Sequence, residues 1–318
     1  MTTTVDPDGV LELEIRALRK ESEGVLSLTL ADPAGRLLPE WEPGAHVDLW
    51  LGELVRQYSL CGDPANRREY RLGVLLEPDS RGGSSYVHSV LRPGDLVEVG
   101  GPRNHFALVD AAEYVFVAGG IGITPLLPMI RHAAARGARW SLTYGGRTAA
   151  SMAFTAELAR YGDAVCLVPQ DERGVIDLAA ALGEVRDDTA IYCCGPEPLL
   201  AAVEKAAAGW PGGALHVERF QARTPSASEL AAEREFVVVC DRADVTVTVP
   251  SGQSIMDCLD AAGVSVPSAC RDGVCGSCQT RVLKGSPEHR DAVLNPADTD
   301  SIMVCVSRAA SPELVLDL

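Results

Sequence analysis

The 318-residue chain is short of positive charge, of histidine and of long apolar runs, and each shortage removes a class of function. Its 28 lysines and arginines face 44 acidic residues, a formal net charge of −16, so the basic face that phosphate neutralisation requires is missing and no nucleic-acid partner is expected. No apolar run approaches the roughly 20 residues that a membrane-spanning helix needs. The opening Met-Thr-Thr-Thr-Val-Asp has neither the basic nor the apolar region of a secretory signal, which leads to the expectation of a cytoplasmic protein. Six histidines, among them His46, His88 and His105, show no metal-ligand spacing. No acid–base triad and no internal repeat stand out. Cysteine, by contrast, is plentiful: ten in a chain without an export signal suggest free thiols in a reducing compartment and not a disulfide framework.

Four of the ten form the most informative pattern. Cys270, Cys275 and Cys278 lie in C-R-D-G-V-C-G-S-C, and Cys305 follows after 26 intervening residues. This is the C-x4-C-x2-C…C spacing of a plant-type 2Fe–2S site, in which thiolates hold two irons. Three ligands from one short loop require the backbone to curl tightly, and Gly273 and Gly276 permit this because glycine reaches positive φ without a Cβ penalty. Structural zinc is the alternative, but it usually takes paired short C-x2–4-C knuckles, whereas here one triple faces a distant single. The other cysteines, Cys61, Cys166, Cys240 and Cys258, fall on expected strands or helices and read as core. Cys193 and Cys194 are adjacent on one strand and should point to opposite faces.

The chain is expected to be multidomain. Residues 1–110 carry short β-rich runs (Leu26–Leu30, His46–Leu51, Tyr58–Leu60, Tyr70–Leu76, Leu96–Val99) punctuated by P-G, D-P and G-D turns, with one helical stretch at Ser84–Leu91. That spacing predicts an N-terminal antiparallel β-barrel. Residues 111–222 alternate strand and helix, from Tyr114–Ala118 to Ala214–Phe220, which predicts a central α/β domain with a parallel sheet. Gln221–Arg234 is small, polar and proline-bearing, so residues 223–234 read as a linker. In residues 235–318, two β-runs, a helix near Ile255–Ala262, the cysteine loop and a closing strand at Leu314–Leu318 describe an α+β domain of the β-grasp, ferredoxin-like type.

Two glycine-rich turns are candidate nucleotide sites. The strand Tyr114–Ala118 runs into Gly119-Gly120-Ile121-Gly122-Ile123-Thr124-Pro125 and then a helix, so backbone N–H groups can approach a pyrophosphate. The turn is not G-x-G-x-x-G, because Pro125 stands in the third glycine's place. A second strand end, Cys193-Cys194-Gly195-Pro196, opens at what would be the same carboxyl edge of the sheet, where open α/β sheets bind ligands. In the first domain, Arg56-Gln57-Tyr58-Ser59 pairs a phosphate clamp with an aromatic ring, and Arg81-Gly82-Gly83-Ser84 offers an anion cradle. On residues alone, both are better read as a strand end and a capped turn.

The order R-Q-Y-S-L, R-G-G-S, G-G-I-G-I-T-P, C-G-P and a C-terminal ferredoxin loop resembles the phthalate dioxygenase reductase family, which includes vanillate demethylase reductases, over essentially the whole chain. The resemblance implies FMN in the barrel, NADH in the central domain and a 2Fe–2S cluster at the C-terminus. It makes Arg56, Tyr58 and Ser59, with Gln57 between them, flavin contacts, and places Arg81, Gly82, Gly83 and Ser84 around the flavin phosphate. Gly120, Gly122 and Thr124 would lie where nucleotide and flavin meet, Cys194, Gly195 and Pro196 near the nicotinamide, and Phe220 of Glu218-Arg219-Phe220 by the flavin ring. Leu75 or Leu76 departs from the pattern, falling where relatives often carry a polar residue. Arg147 is a further nucleotide candidate, opposed by the acidic Gln170-Asp171-Glu172, which favours NADH over NADPH.

The implied chemistry is coherent. Nicotinamide gives two electrons as hydride, the cluster accepts one, and a flavin serves both. A cluster with these ligands sits near about −400 mV, suited to reduce a downstream metal centre. The expected function is electron transfer from NADH through FMN and the cluster to a terminal oxygenase, Rieske-type or haem–thiolate. A stand-alone NADH:acceptor reductase with FAD, and a redox-sensing module, are the competing readings; the cluster argues against the first and the nucleotide motifs against the second.

Overall fold

The computed structural model describes residues 9–78, 82–220, 230–231, 233–294 and 298–318. The chain divides into two compact units, residues 1–218 and 219–318.

The first unit begins with β1 (Val10–Ser22), β2 (Val25–Ala31), β3 (Ala45–Leu51), β4 (Leu54–Ser59), β5 (Tyr70–Leu75), α1 (Gly83–Ser89) and β6 (Leu96–Asn104). These strands form one antiparallel sheet in the order β4-β3-β6-β1-β2-β5. A bridge between Leu60 and Leu72 brings the chain beyond β4 against β5, so the sheet curls on itself as a barrel. The longest strand, β1, is the one the β-rich runs do not include. Its Glu, Lys and Arg residues favour helix by propensity, yet Leu11, Leu13 and Ile15 alternate inward and are at most 1% exposed. Each such side chain gains about 1.5–3 kcal/mol on burial, which outweighs the local preference.

There follow β7 (Glu113–Gly119), α2 (Ile123–Ala135), β8 (Arg139–Gly146), α3 (Thr155–Leu158), β9 (Val165–Pro169), α4 (Gln170–Arg173), α5 (Leu178–Leu182), β10 (Thr189–Cys194), α6 (Glu197–Ala206) and β11 (Leu215–Glu218). The sheet is parallel throughout, ordered β11-β10-β7-β8-β9. From β7 the chain proceeds to β8 on one side and returns to β10 on the other. The carboxyl ends of β7 and β10 therefore flank the switch point, the crevice where such sheets bind ligands. Cys193 and Cys194 are both fully buried on opposite faces, one in each of the two cores that sandwich the sheet.

Barrel and parallel sheet are clamped together by charge. Glu157 of α3 accepts from Arg71 of β5 at 2.7 Å and from Arg131 of α2 at 2.5 Å, and Arg131 also donates to the Gly62 carbonyl. Burial works against the Glu157 carboxylate, but the two guanidiniums hold it below the usual carboxylate range.

The second unit contains β12 (Phe236–Cys240), β13 (Val245–Val249), α7 (Ile255–Ala261), β14 (Gln279–Lys284), β15 (Pro287–Glu288), β16 (Ser301–Met303), β17 (Arg308–Ala309) and β18 (Glu313–Leu316). Its five-stranded sheet runs β13-β12-β18-β14-β16, with β12 and β18 parallel, and β15 pairs separately with β17. Ser254 caps α7 by accepting the Asp257 N–H, and Ile255, Met256 and Leu259 bury the helix on the sheet. Most of the expected linker, residues 221–229 and 232, lies outside the described residues. At its far end, the Glu233 side chain is 5% exposed and ion-paired to Arg290 at 2.5 Å. Among the described residues, no helix is long and apolar enough to cross a membrane.

Candidate functional site

The barrel brings the R-Q-Y-S strand and the R-G-G-S turn together. A Cβ on Gly83 would stand 2.7 Å from Arg56 Cγ, and one on Gly82 would stand 2.8 Å from Leu54 Cδ1, so the turn lies flat against β4 and excludes side chains. Gly82 has φ +94°, which also requires glycine. Ser84 Oγ accepts the Glu77 N–H at 3.2 Å, tethering the turn to the end of β5. Arg81 lies outside the described residues. Burial pushes Tyr58 up to about 12, against the opposing pull of Arg56. Strand alternation turns Gln57 to the other face, where its amide donates to the buried Asp48 at 2.6 Å. Of the two leucines that depart from the family pattern, Leu75 packs on the core and Leu76 is 42% exposed.

At the switch point the two glycine-rich turns touch. A Cβ on Gly122 would collide with the Cys194 carbonyl, and one on Gly119 would lie 2.7 Å from Pro196 Cδ. The backbone of Gly119–Gly122 thus seats directly on Cys194-Gly195-Pro196. Thr124 is buried, its hydroxyl donating to the Ile121 carbonyl, and its methyl faces Gly73 of the barrel strand β5. Arg147 follows β8, and its carbonyl accepts the Asp171 N–H at 3.2 Å, which places α4 and its acidic residues beside it. Arg173 of the same helix folds back onto the Leu167 carbonyl at 2.6 Å.

Glu218, given no role in the sequence reading, sits opposite Cys194 in the β10–β11 register. The Cys194 thiol faces its Oε2 at 3.9 Å. Burial first, then the Glu218 charge, raises Cys194 well above the ordinary thiol range, and burial pushes Glu218 up to about 8. Both groups are thereby biased toward their protonated forms. A glutamate at a strand's end carries no distinctive signal without knowing that β11 lies beside β10. Phe220, beyond β11, belongs to the second unit and is 40% exposed.

In the second unit the four cysteines come in two pairs. Cys278 Sγ lies 3.1 Å from Cys305 Sγ, and Cys270 and Cys275 neighbour each other closely enough to shift each other's thiols in opposite directions. The close approach within each pair lowers Cys275, to about 5, and Cys278, and raises their partners Cys270 and Cys305. Backbone N–H groups of Asp272, Val274, Ser277 and Gly273 also point at the sulfurs, and Ser277 Oγ lies 3.0 Å from Cys275 Sγ. Such donors stabilise thiolate, the form iron binds. Among the described residues, no three metal-ligating side chains are grouped around a single ion position. A tetrahedral zinc needs four ligands on one centre; two thiol pairs suit two irons instead, so the residues fit the 2Fe–2S group.

Comparison with known proteins agrees. Residues 238–310 match the family model described as a 2Fe-2S iron-sulfur cluster binding domain, and residues 116–205 match an oxidoreductase NAD-binding domain. The chain is 43% identical over 314 residues to phenoxybenzoate dioxygenase subunit beta of Ectopseudomonas oleovorans, covering 97% of each. It is similar to the solved structure of phthalate dioxygenase reductase, at 38% identity, a TM-score of 0.74 and coverage of 99% and 100%. It is also similar to an intact type IV self-sufficient cytochrome P450 monooxygenase, at 42% identity and a TM-score of 0.90; 96% of the chain aligns there but spans only 41% of that longer protein. Fold and site define an NAD-dependent iron–sulfur oxidoreductase. The chain belongs to the phthalate dioxygenase reductase family.

Proposed function

We propose that this chain takes electrons from NADH, passes them through FMN to a 2Fe–2S cluster, and delivers them singly to a terminal oxygenase. The pairing of four thiols, three from one loop lined with N–H donors and Cys305 from a separate segment, carries the reading, since it equips the C-terminal unit as a one-electron exit. FMN, when bound, would convert the two-electron donation of NADH into single-electron steps. Residues 1–110 would hold it and residues 111–222 the nucleotide, with 223–234 linking them to the cluster domain, 235–318. Arg56 with Gly82, Gly83 and Ser84 would bind the FMN phosphate, joined by Arg81, while Tyr58, Ser59 and Phe220 bound its ring. Gln57, its side chain engaged by Asp48, would contribute backbone alone. Gly120, Gly122 and Thr124, together with Cys194, Gly195 and Pro196, would shape the nicotinamide end. Cys270 and Cys275 would ligate one iron, and Cys278 and Cys305 the other.

Heat-released flavin separated by chromatography tests the cofactor assignment. FMN is expected; FAD as the main species would overturn it. NADH should be preferred over NADPH, because Asp171 and Glu172 stand beside Arg147 where a 2′-phosphate would sit. Equal or greater catalytic efficiency with NADPH would refute this.

From Glu235 onward, twelve acidic residues face six basic ones, and two of the six, Arg290 and Arg308, are buried. Charge complementarity mainly speeds such brief encounters, so a basic patch on the oxygenase is the fitting partner surface, with Asp272 in the cluster loop near the contact. Coupled turnover should slow as salt rises to physiological strength, where screening falls to about 8 Å. Asp272→Lys should slow it further and spare NADH-to-flavin reduction. A coupled rate indifferent to both would count against docking by charge. The monooxygenase similarity favours a haem–thiolate partner as the second reading; the system that consumes NADH when mixed with this chain and its substrate distinguishes it from a Rieske oxygenase.

A further inference from the structure

We propose that Asp291 and Ser307 form a latch that fixes the spacing between the two thiol pairs, making them positioning residues for the cluster. The inference rests on the four cysteines being its ligands. Asp291 has no exposed side-chain surface, and its carboxylate is held by three donors: the N–H groups of Val293 (3.0 Å) and Leu294 (2.7 Å) on Oδ1, and the Ser307 hydroxyl (2.9 Å) on Oδ2. A buried carboxylate without such partners would be strongly disfavoured. Ser307, itself fully buried, accepts the Arg290 N–H at 3.0 Å and stands two residues beyond the ligand Cys305.

The other end of the latch reaches the three-cysteine loop. Next to Asp291, the Ala292 N–H donates to the Gly273 carbonyl at 2.9 Å. Gly273 also lies against Val306, the residue that follows Cys305. Gly273 has φ +68°, and a Cβ there would stand 2.5 Å from Val306 Cγ2 and 3.2 Å from the Asp291 Cα and Cβ, so the loop lies directly on the latch. Together with the chain itself, the contacts close a ring: Asp291, Ser307, Val306, Gly273, Ala292 and back to Asp291. One side of the ring carries the Cys270–Cys278 loop and the other the Cys305 segment. Arg290 braces the arrangement from outside, its guanidinium held by Glu233 at 2.5 Å and Glu288 at 2.7 Å. His289 Nδ1 lies 3.4 Å from Asp291 Oδ2, the remaining polar neighbour of the carboxylate.

Groups that orient ligands typically govern metal retention by 10–100-fold. In the purified full-length protein, Ser307→Ala should release iron about 10–100-fold faster than the native chain to a ferrous chelator with ascorbate present to reduce the released ferric iron, read from the absorbance of the chelate and independent of NADH. Val238→Ala, which truncates the core of the same unit on β12, where Val238 pairs with Val247 and Leu314 and not with a ring residue, controls for lost stability and should not accelerate release at a matched melting temperature. Iron release from Ser307→Ala no faster than from Val238→Ala overturns the latch. If Ser307→Ala does not fold, Asp291→Asn, which keeps the shape and removes the charge, takes its place and native release kinetics overturn the proposal. A native protein that never shows a 2Fe–2S signal after anaerobic reconstitution overturns the ligand assignment, and the latch with it.

Discussion

Replacing Cys275 by serine should abolish NADH-driven cytochrome c reduction and remove most of the cluster absorbance, while NADH-to-ferricyanide activity survives. Cys275 is the more acidic member of its pair, lowered to about 5 by the close approach of Cys270 and further served by Ser277. A serine hydroxyl is a far weaker ligand for iron, which favours soft thiolates. The residues proposed to hold flavin and nucleotide lie in the other compact unit, apart from Phe220, so their chemistry should continue. A folded, flavin-replete variant that loses both activities would contradict this division of labour.

Gly122→Ala should lower the rate of flavin reduction by NADH by about 10²-fold, because a misplacement near 1 Å at a reacting centre can cost that much. The new methyl would meet the Cys194 carbonyl, which belongs to a central strand and cannot swing aside as a flexible side chain would. Either Gly122 lifts from the crevice or the end of β10 moves, and both displace the residues proposed to shape the nicotinamide site. The cluster spectrum should be unchanged. Stopped-flow absorbance checks the rate; reduction at the native rate would mean that the contact between the two turns does not set the nucleotide's position.

The features legible in the sequence share one property: they depend on neighbours along the chain. The cysteine loop, the glycine turn after Tyr114–Ala118 and the parallel alternation of the central domain are local patterns, and the structure contains the corresponding elements. Strand β1 was hidden because its helix-favouring residues conflict with an inward alternation that matters only once β2 and β6 flank it. Gln57 stood inside a motif, yet the period-2 geometry of a strand turns its side chain from the face of Arg56 and Tyr58. Glu218 and Asp291 left no signal because their partners, Cys194 and Ser307, lie 24 and 16 residues away and meet them only through strand pairing or tertiary folding. Buried polar residues of this kind are chosen by what surrounds them in space.

The order of electron transfer gives the most direct test. Mixing the intact protein anaerobically with NADH, while following flavin bleaching by absorbance and the cluster by freeze-quench paramagnetic resonance, should show the flavin reduced first and the cluster signal growing afterwards. Protein stripped of flavin should leave its cluster oxidised under the same conditions. A cluster that is reduced by NADH at an undiminished rate without flavin, or that stays oxidised beside a fully reduced flavin, would contradict the proposed path.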